Sequence, residues 1–248
     1  MKYNANILDY LTASAIAVSA AEFITLPICT IKTVYQTSNM TIPQTTKHIL
    51  KRSGYFGFIQ ASVPAFLGQI VSTSTKFSFY KVIKNYRQTN DNDILNNSIN
   101  GMLGGVGGAL FAHPFDVWKA LNQKNESFNF LNRSLYYRGF TGSIGKNIAL
   151  YSVLYPAYDF YKSIFEHSYI AAPLTTLTTC LITQPFDYYK VSRMTGEKIK
   201  LTDLFLLKNN NPFKGFSLMV GRAIPHFFIT MSITEYILNN FMHIGQQK

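Results

Sequence analysis

The chain has 248 residues, of which 14% are charged, 15% aromatic and 47% hydrophobic. A soluble domain typically carries about 25% charged residues, so this balance points to an all-α membrane protein with a polar interior rather than to a solvated globule. The formal net charge of +11 is scattered, with no nucleic-acid motif beside it; it argues against a nucleic-acid partner and for contact with anionic membrane lipid or a small anionic solute.

The N-terminus has no basic stretch before an apolar one and is not arginine-rich, so no cleavable signal or transit peptide is expected. The first apolar segment, LTASAIAVSAAEFITL, runs into Pro27. A polar stretch follows, then the link FIQAS at 58–62 and a second apolar segment at about 62–86. The pattern recurs twice. GMLGGVGGALFAH leads into Pro114, and the link YYRGF at 136–140 into an apolar segment at about 141–165. PLTTLTTCLITQ leads into Pro185, and PFKGF at 212–216 into a segment at about 215–242. Each second segment holds an inner proline: Pro64, Pro156 and Pro225.

Such internal similarity marks a repeat architecture, with one domain over 1–248 divided at 1–88, 89–167 and 168–248. Segments of roughly 22–30 residues are long enough to span a bilayer when tilted, and helix is the spanning form that fits, since barrel strands are about ten residues long. The expectation is six transmembrane helices in three two-helix repeats, with pseudo-threefold symmetry around a central cavity. The glycine run at 101–108 lacks the Lys-Ser or Lys-Thr of a phosphate-cradling loop and reads as a helix-packing surface. Cys29 and Cys180 sit in no metal-ligand cluster, so no zinc site is expected.

A proline inside a helix removes a backbone bond and kinks it. Beyond each proline, acid and base three residues apart share a helix face: Asp116 with Lys119, and Asp187 with Lys190. Three such helices converging would close one end of the cavity with a ring of ion pairs. A single copy would be read as charges snorkelling to the headgroups; three prolines in register favour the ring.

The pattern of proline, any residue, acid, two residues and base, followed by an aromatic–base–glycine element, resembles the mitochondrial carrier family. It covers nearly the whole chain and is most specific at PFDVWKALNQ and PFDYYK. The resemblance implies a multi-pass, monomeric transporter of the mitochondrial inner membrane, working by alternating access. Its matrix gate would use the bases Lys32, Lys119 and Lys190 and the acids Asp116 and Asp187, with Cys29 where the first acid belongs. The implied pairs are Asp116–Lys190 and Asp187–Lys32, leaving Lys119 opposite Cys29 and that corner weak. Gln36 and Gln123 stand where the family places a bracing glutamine. A cytoplasmic gate retains Asp159, Lys162 and Glu235, but Lys81 replaces an acid and Leu238 a base. Gly139 and Gly215 stand where the family binds cardiolipin headgroups, although turn geometry alone is an equal reason for them. No other cofactor is implied.

The resemblance also places substrate contacts at mid-height, at Gly68, Lys146 and Arg222. Gln69, Thr73 and Lys76 form one helix face, and Asn147, Tyr151 and Tyr155 another. Glu22 lies within the first apolar segment; an ionisable group there is either a site residue or half of a structural pair. Lys76, Lys146 and Arg222 would trap an anion, and Tyr151 with Tyr155 would stack on a base. A nucleotide or another phosphate-bearing solute is the expected cargo, with a carboxylate as the alternative. VSRMTG holds one arginine where adenine-nucleotide carriers have three, which sets the chain apart from an ordinary ADP/ATP exchanger. A degenerate, non-transporting scaffold or insertase is the competing class. No Ser/His/Asp set, HExxH or carboxylate dyad suggests an enzyme, and His113 and His226, each beside a proline, read as structural or pore-lining.

Overall fold

The computed structural model describes residues 7–87, 93–165, 167–202 and 211–240, with side chains from residue 12 onward except at 168–169 and 238–240. The expected repeat boundary at 88/89 and the side chain of Leu238 lie outside the described residues. All regular structure among the described residues is helical.

The elements are α1 (Ile7–Gln36), α2 (Ile42–Ser53), α3 (Ser62–Arg87), α4 (Ile94–Gln123), the single turn α5 (Arg133–Tyr136), α6 (Phe140–Phe165), α7 (Ser168–Met194) and α8 (Phe216–Asn240). The six long helices pack in a closed cycle in which α1 touches α3, α3 touches α4, and so on through α6, α7 and α8 back to α1. The widest interfaces are α3 with α4, α6 with α7 and α8 with α1. The proline-bearing helices α1, α4 and α7 also touch one another, though sparingly. Thr12–Gln36 and Phe216–Ile237 are long and apolar enough to cross a membrane by composition; the four other long helices fall short of that measure. Lys76, Asp116, Lys146 and Asp187, one from each of those four, face an interior cavity and lower their hydropathy.

Pro27, Pro114 and Pro185 lie inside continuous helices. The inner prolines are not equivalent to one another. Pro64 falls in the first turn of α3, where a missing amide is harmless. Pro156 and Pro225 lie within α6 and α8, seventeen and ten residues past Gly139 and Gly215.

The start of each even member of the cycle is fastened to the end of the next proline-bearing helix. Lys214, before α8, donates through Nζ to the Ser38 carbonyl beyond α1. Gln60, before α3, donates to the Asn122 carbonyl at the end of α4. Arg138, before α6, lies against Gly196 just past α7. A donor placed there satisfies carbonyls that a helix C-terminus leaves open, and a cation also meets the negative end of its dipole. The residue before each proline is fully buried: Leu26, His113 and Gln184. Gln184 Nε2 donates to the Lys214 carbonyl at 2.8 Å, and His113 Nε2 lies 3.0 Å from the Arg138 carbonyl. A carbonyl only accepts, so the His113 proton sits on Nε2, and Nδ1 accepts from the Ser143 hydroxyl at 2.9 Å. His113 is therefore held as a structural strut.

The glycine run packs as a helix surface. A Cβ on Gly104 would lie 3.2 Å from the Lys76 carbonyl oxygen, and one on Gly108 3.0 Å from the Lys76 Cα. Gly108→Val is expected to push α3 from α4 and destabilise the protein by about 1–3 kcal/mol, the usual range for overpacking. Denaturation of the detergent-solubilised protein checks this; an unchanged melting temperature would mean that the helices do not approach so closely.

A cationic cavity closed by three ion pairs

The cycle of helices encloses a cavity of about 310 Å³ lined by residues of all six long helices. Asp116 on α4 accepts from Lys190 on α7 at 2.7 Å, and Asp187 on α7 accepts from Lys32 on α1 at 2.5 Å. These are the two pairs that the resemblance implied. The third corner differs from expectation. Lys119 does not stand opposite Cys29 without an acid; it donates to Glu22 Oε1. Glu22 is seven residues before Cys29, two turns up the same face of α1. The three pairs thus link α1 to α4, α4 to α7, and α7 to α1.

Two of the cations expected to be free for an anion are also engaged. Arg222 on α8 donates to Glu22 Oε2 at 2.5 Å, and Lys146 on α6 donates to Asp187 Oδ1. Gln69 Nε2 completes the shell of Glu22 Oε2 at 2.8 Å. Glu22 and Asp187 are almost wholly buried, each carboxylate shared by two cations. The Asp116 side chain is 39% exposed and forms a single ion pair among the described residues. Lys76 lines the cavity and forms no ion pair with any described residue.

Asn147 faces the cavity, with its amide nitrogen on the Ser143 carbonyl at 3.0 Å. Tyr151 does not line it. A Cβ on Gly101 or Gly105 would come within 2.6 Å of the Tyr151 ring, so that ring fills the notch which α4 leaves for α6. Tyr155 stacks on it with ring centres 6.4 Å apart. The cavity lining holds no aromatic side chain among the described residues, which removes the base-stacking surface expected from the two tyrosines. Neither glutamine braces an ion pair. Gln36 Nε2 donates to the Lys214 carbonyl at 3.1 Å, and Gln123 Nε2 to the Thr30 hydroxyl at 3.4 Å.

Asp159, Lys162 and Glu235 are exposed, without an ion pair among the described residues. Lys162 instead rests over the Tyr158 ring at 5.8 Å. The ion pairs therefore gather at one end of the helix cycle. Gly139 and Gly215 precede α6 and α8 with φ of 79° and 83°, a left-handed conformation that disfavours any side chain. That requirement accounts for both glycines as turns.

The family model described as mitochondrial carrier protein matches residues 3–91. A mitochondrial carrier-like protein of Acanthamoeba polyphaga mimivirus is 37% identical over 234 residues, covering 92% of this chain and 94% of that protein. The chain belongs to the mitochondrial carrier family. Members of this family are membrane proteins that transport solutes rather than enzymes, and the similarity runs beyond the first repeat into the rest of the chain. In this carrier, the acid that meets Lys119 lies outside the proline motif, and the sequence marked Glu22 as a site residue or half of a structural pair without naming Lys119 as its partner. The signal for that partner was its place on an apolar helix, about two turns from the position lacking an acid.

Proposed function

We propose that this carrier spans the mitochondrial inner membrane six times, as three two-helix repeats, and moves a small phosphate-bearing anion, a nucleotide first among them, by alternating access. The charge of the cavity carries this reading. Six cations line it (Lys32, Lys76, Lys119, Lys146, Lys190 and Arg222) against the lining carboxylates Asp116 and Asp187. With the buried Glu22 carboxylate included, six positive charges face three negative ones, a formal surplus of three. An anion of several charges neutralises that surplus; a neutral or cationic solute does not.

The three ion pairs form the gate on the matrix side, and Asp159, Lys162 and Glu235 belong to a cytoplasmic gate that stands open. Lys76, Lys146, Asn147 and Arg222 contact the solute. Gly139 and Gly215 open helices at whose N-termini a cardiolipin headgroup is held, and the carrier works as a monomer. Transport is favoured over a scaffold role because Glu22 completes a ring that the proline motif alone leaves broken. The carboxylate reading draws on the lack of an aromatic in the cavity lining.

Competition for uptake into proteoliposomes tests the proposal. A nucleoside triphosphate is expected to compete better than phosphate or malate. Equal competition by malate would transfer the site to carboxylates, and a lack of uptake of all three would sink the transport reading.

A further inference from the structure

The repeat register puts position 29 in the same relation to Lys119 as Asp116 has to Lys190 and Asp187 to Lys32. Position 29 is a cysteine, yet Lys119 is not left without an acid. Glu22 sits about 10 Å further along α1, as seven residues at 1.5 Å each require, and Lys119 reaches it from α4. This shift moves the corner towards the solute. Glu22 Oε1 takes Lys119 while Oε2 takes Arg222 and Gln69, so α1, α3, α4 and α8 meet on one carboxylate. At 1% exposure it has little room for a further ligand.

We propose that Glu22 is the third acid of the closed end, replacing the one absent at position 29, and that it positions Arg222 rather than binding solute. Closure at this corner is then tied to the cavity: a solute anion that draws Arg222 away leaves Glu22 with Lys119 and Gln69 alone. Asp187, shared by Lys32 and Lys146, repeats the device at a second corner. Asp116 lacks it, because α3 carries Gly68 where α6 and α8 carry Lys146 and Arg222. The inference rests on the transport reading for its consequence, but its geometry is tested without transport.

The test compares melting temperatures of detergent-purified variants. Glu22→Gln is expected to melt several degrees below wild type. Adding Cys29→Asp should restore at least half of that loss by giving Lys119 an acid in the ordinary place, and adding Lys119→Ala to the pair should remove the recovery. In the wild-type background, where Lys119 is already engaged, Cys29→Asp should bring no gain. A gain there, or no recovery in the double variant, overturns the proposal; the wild-type arm reads even if Glu22→Gln fails to fold. In proteoliposomes, Asp at position 29 supplies an acid to Lys119 but not to Arg222, so the double variant should regain stability while its apparent affinity for the anion stays below wild type. Full return of that affinity would overturn the positioning of Arg222 by Glu22. Wild type inactive towards every anion tried, with the melting series as expected, would instead fault the transport reading alone.

Discussion

Asp187→Asn is expected to lower the melting temperature by about 6–20 °C and to abolish uptake. Asp187 is 3% exposed, with Lys32 on one oxygen and Lys146 on the other. Asparagine keeps the shape but leaves two cations near a neutral amide. Breaking a buried pair by removing one partner destabilises by about 3–5 kcal/mol, and each kcal/mol is about 2–4 °C in a chain of this size. Asp116→Asn makes the same chemical change at a corner where the acid is 39% exposed and holds a single lysine. That acid faces the cavity and is the less buried of the two, so a smaller loss than for Asp187→Asn is expected. The order of the two variants is the decisive result. If Asp116→Asn is as damaging as Asp187→Asn, the three corners are equivalent, and the sharing of Asp187 by two cations contributes nothing.

The proline-bearing helices and the two regular ion pairs were legible because proline, acid and base repeat at fixed spacing, and a helix turns that spacing into a shared face. Helix bounds were legible for the same reason: the second apolar segments expected at about 62–86 and 141–165 are Ser62–Arg87 and Phe140–Phe165. Tyr151 shows where spacing stops informing. A row at intervals of three and four defines a face, but which wall that face meets depends on the neighbouring helix. Here Gly101 and Gly105, four apart on α4, make the notch that takes the ring. Lys146 and Arg222 were placed on the cavity wall by register alone, yet their engagement with Asp187 and Glu22 depends on reach between helices, which a linear pattern does not encode. Gln36 and Gln123 likewise sat at the expected positions and found nearer partners, a carbonyl and a hydroxyl.

Lys76→Ala separates solute binding from closure, and it is expected to weaken uptake strongly while leaving the protein as stable as wild type or more so. Lys76 faces the cavity without an ion-pair partner among the described residues, so its removal orphans no buried acid. A lysine ammonium held away from bulk water is repelled by Lys146 and Lys190 and attracted by Asp116, all of which line the same cavity. Alanine removes the desolvation and the repulsion together with that attraction, so the fold changes little in stability while an anionic solute loses a contact. Truncating one partner of a desolvated charge contact costs about 2 kcal/mol or more, which is about thirtyfold in apparent affinity at tenfold per 1.4 kcal/mol. The apparent KM for the transported anion should rise by at least that factor with little change in melting temperature. Lys146→Ala and Arg222→Ala should lower both affinity and melting temperature, because each also strips a cation from a buried carboxylate. A thermal-shift titration with the same anion gives a second reading, since a ligand stabilises the folded state by an amount that grows with the logarithm of its concentration over Kd. If Lys76→Ala leaves KM unchanged, its ammonium lies outside the solute path. If it lowers the melting temperature as much as Lys146→Ala does, Lys76 is engaged in the fold, and the formal surplus of charge is not available to an anion.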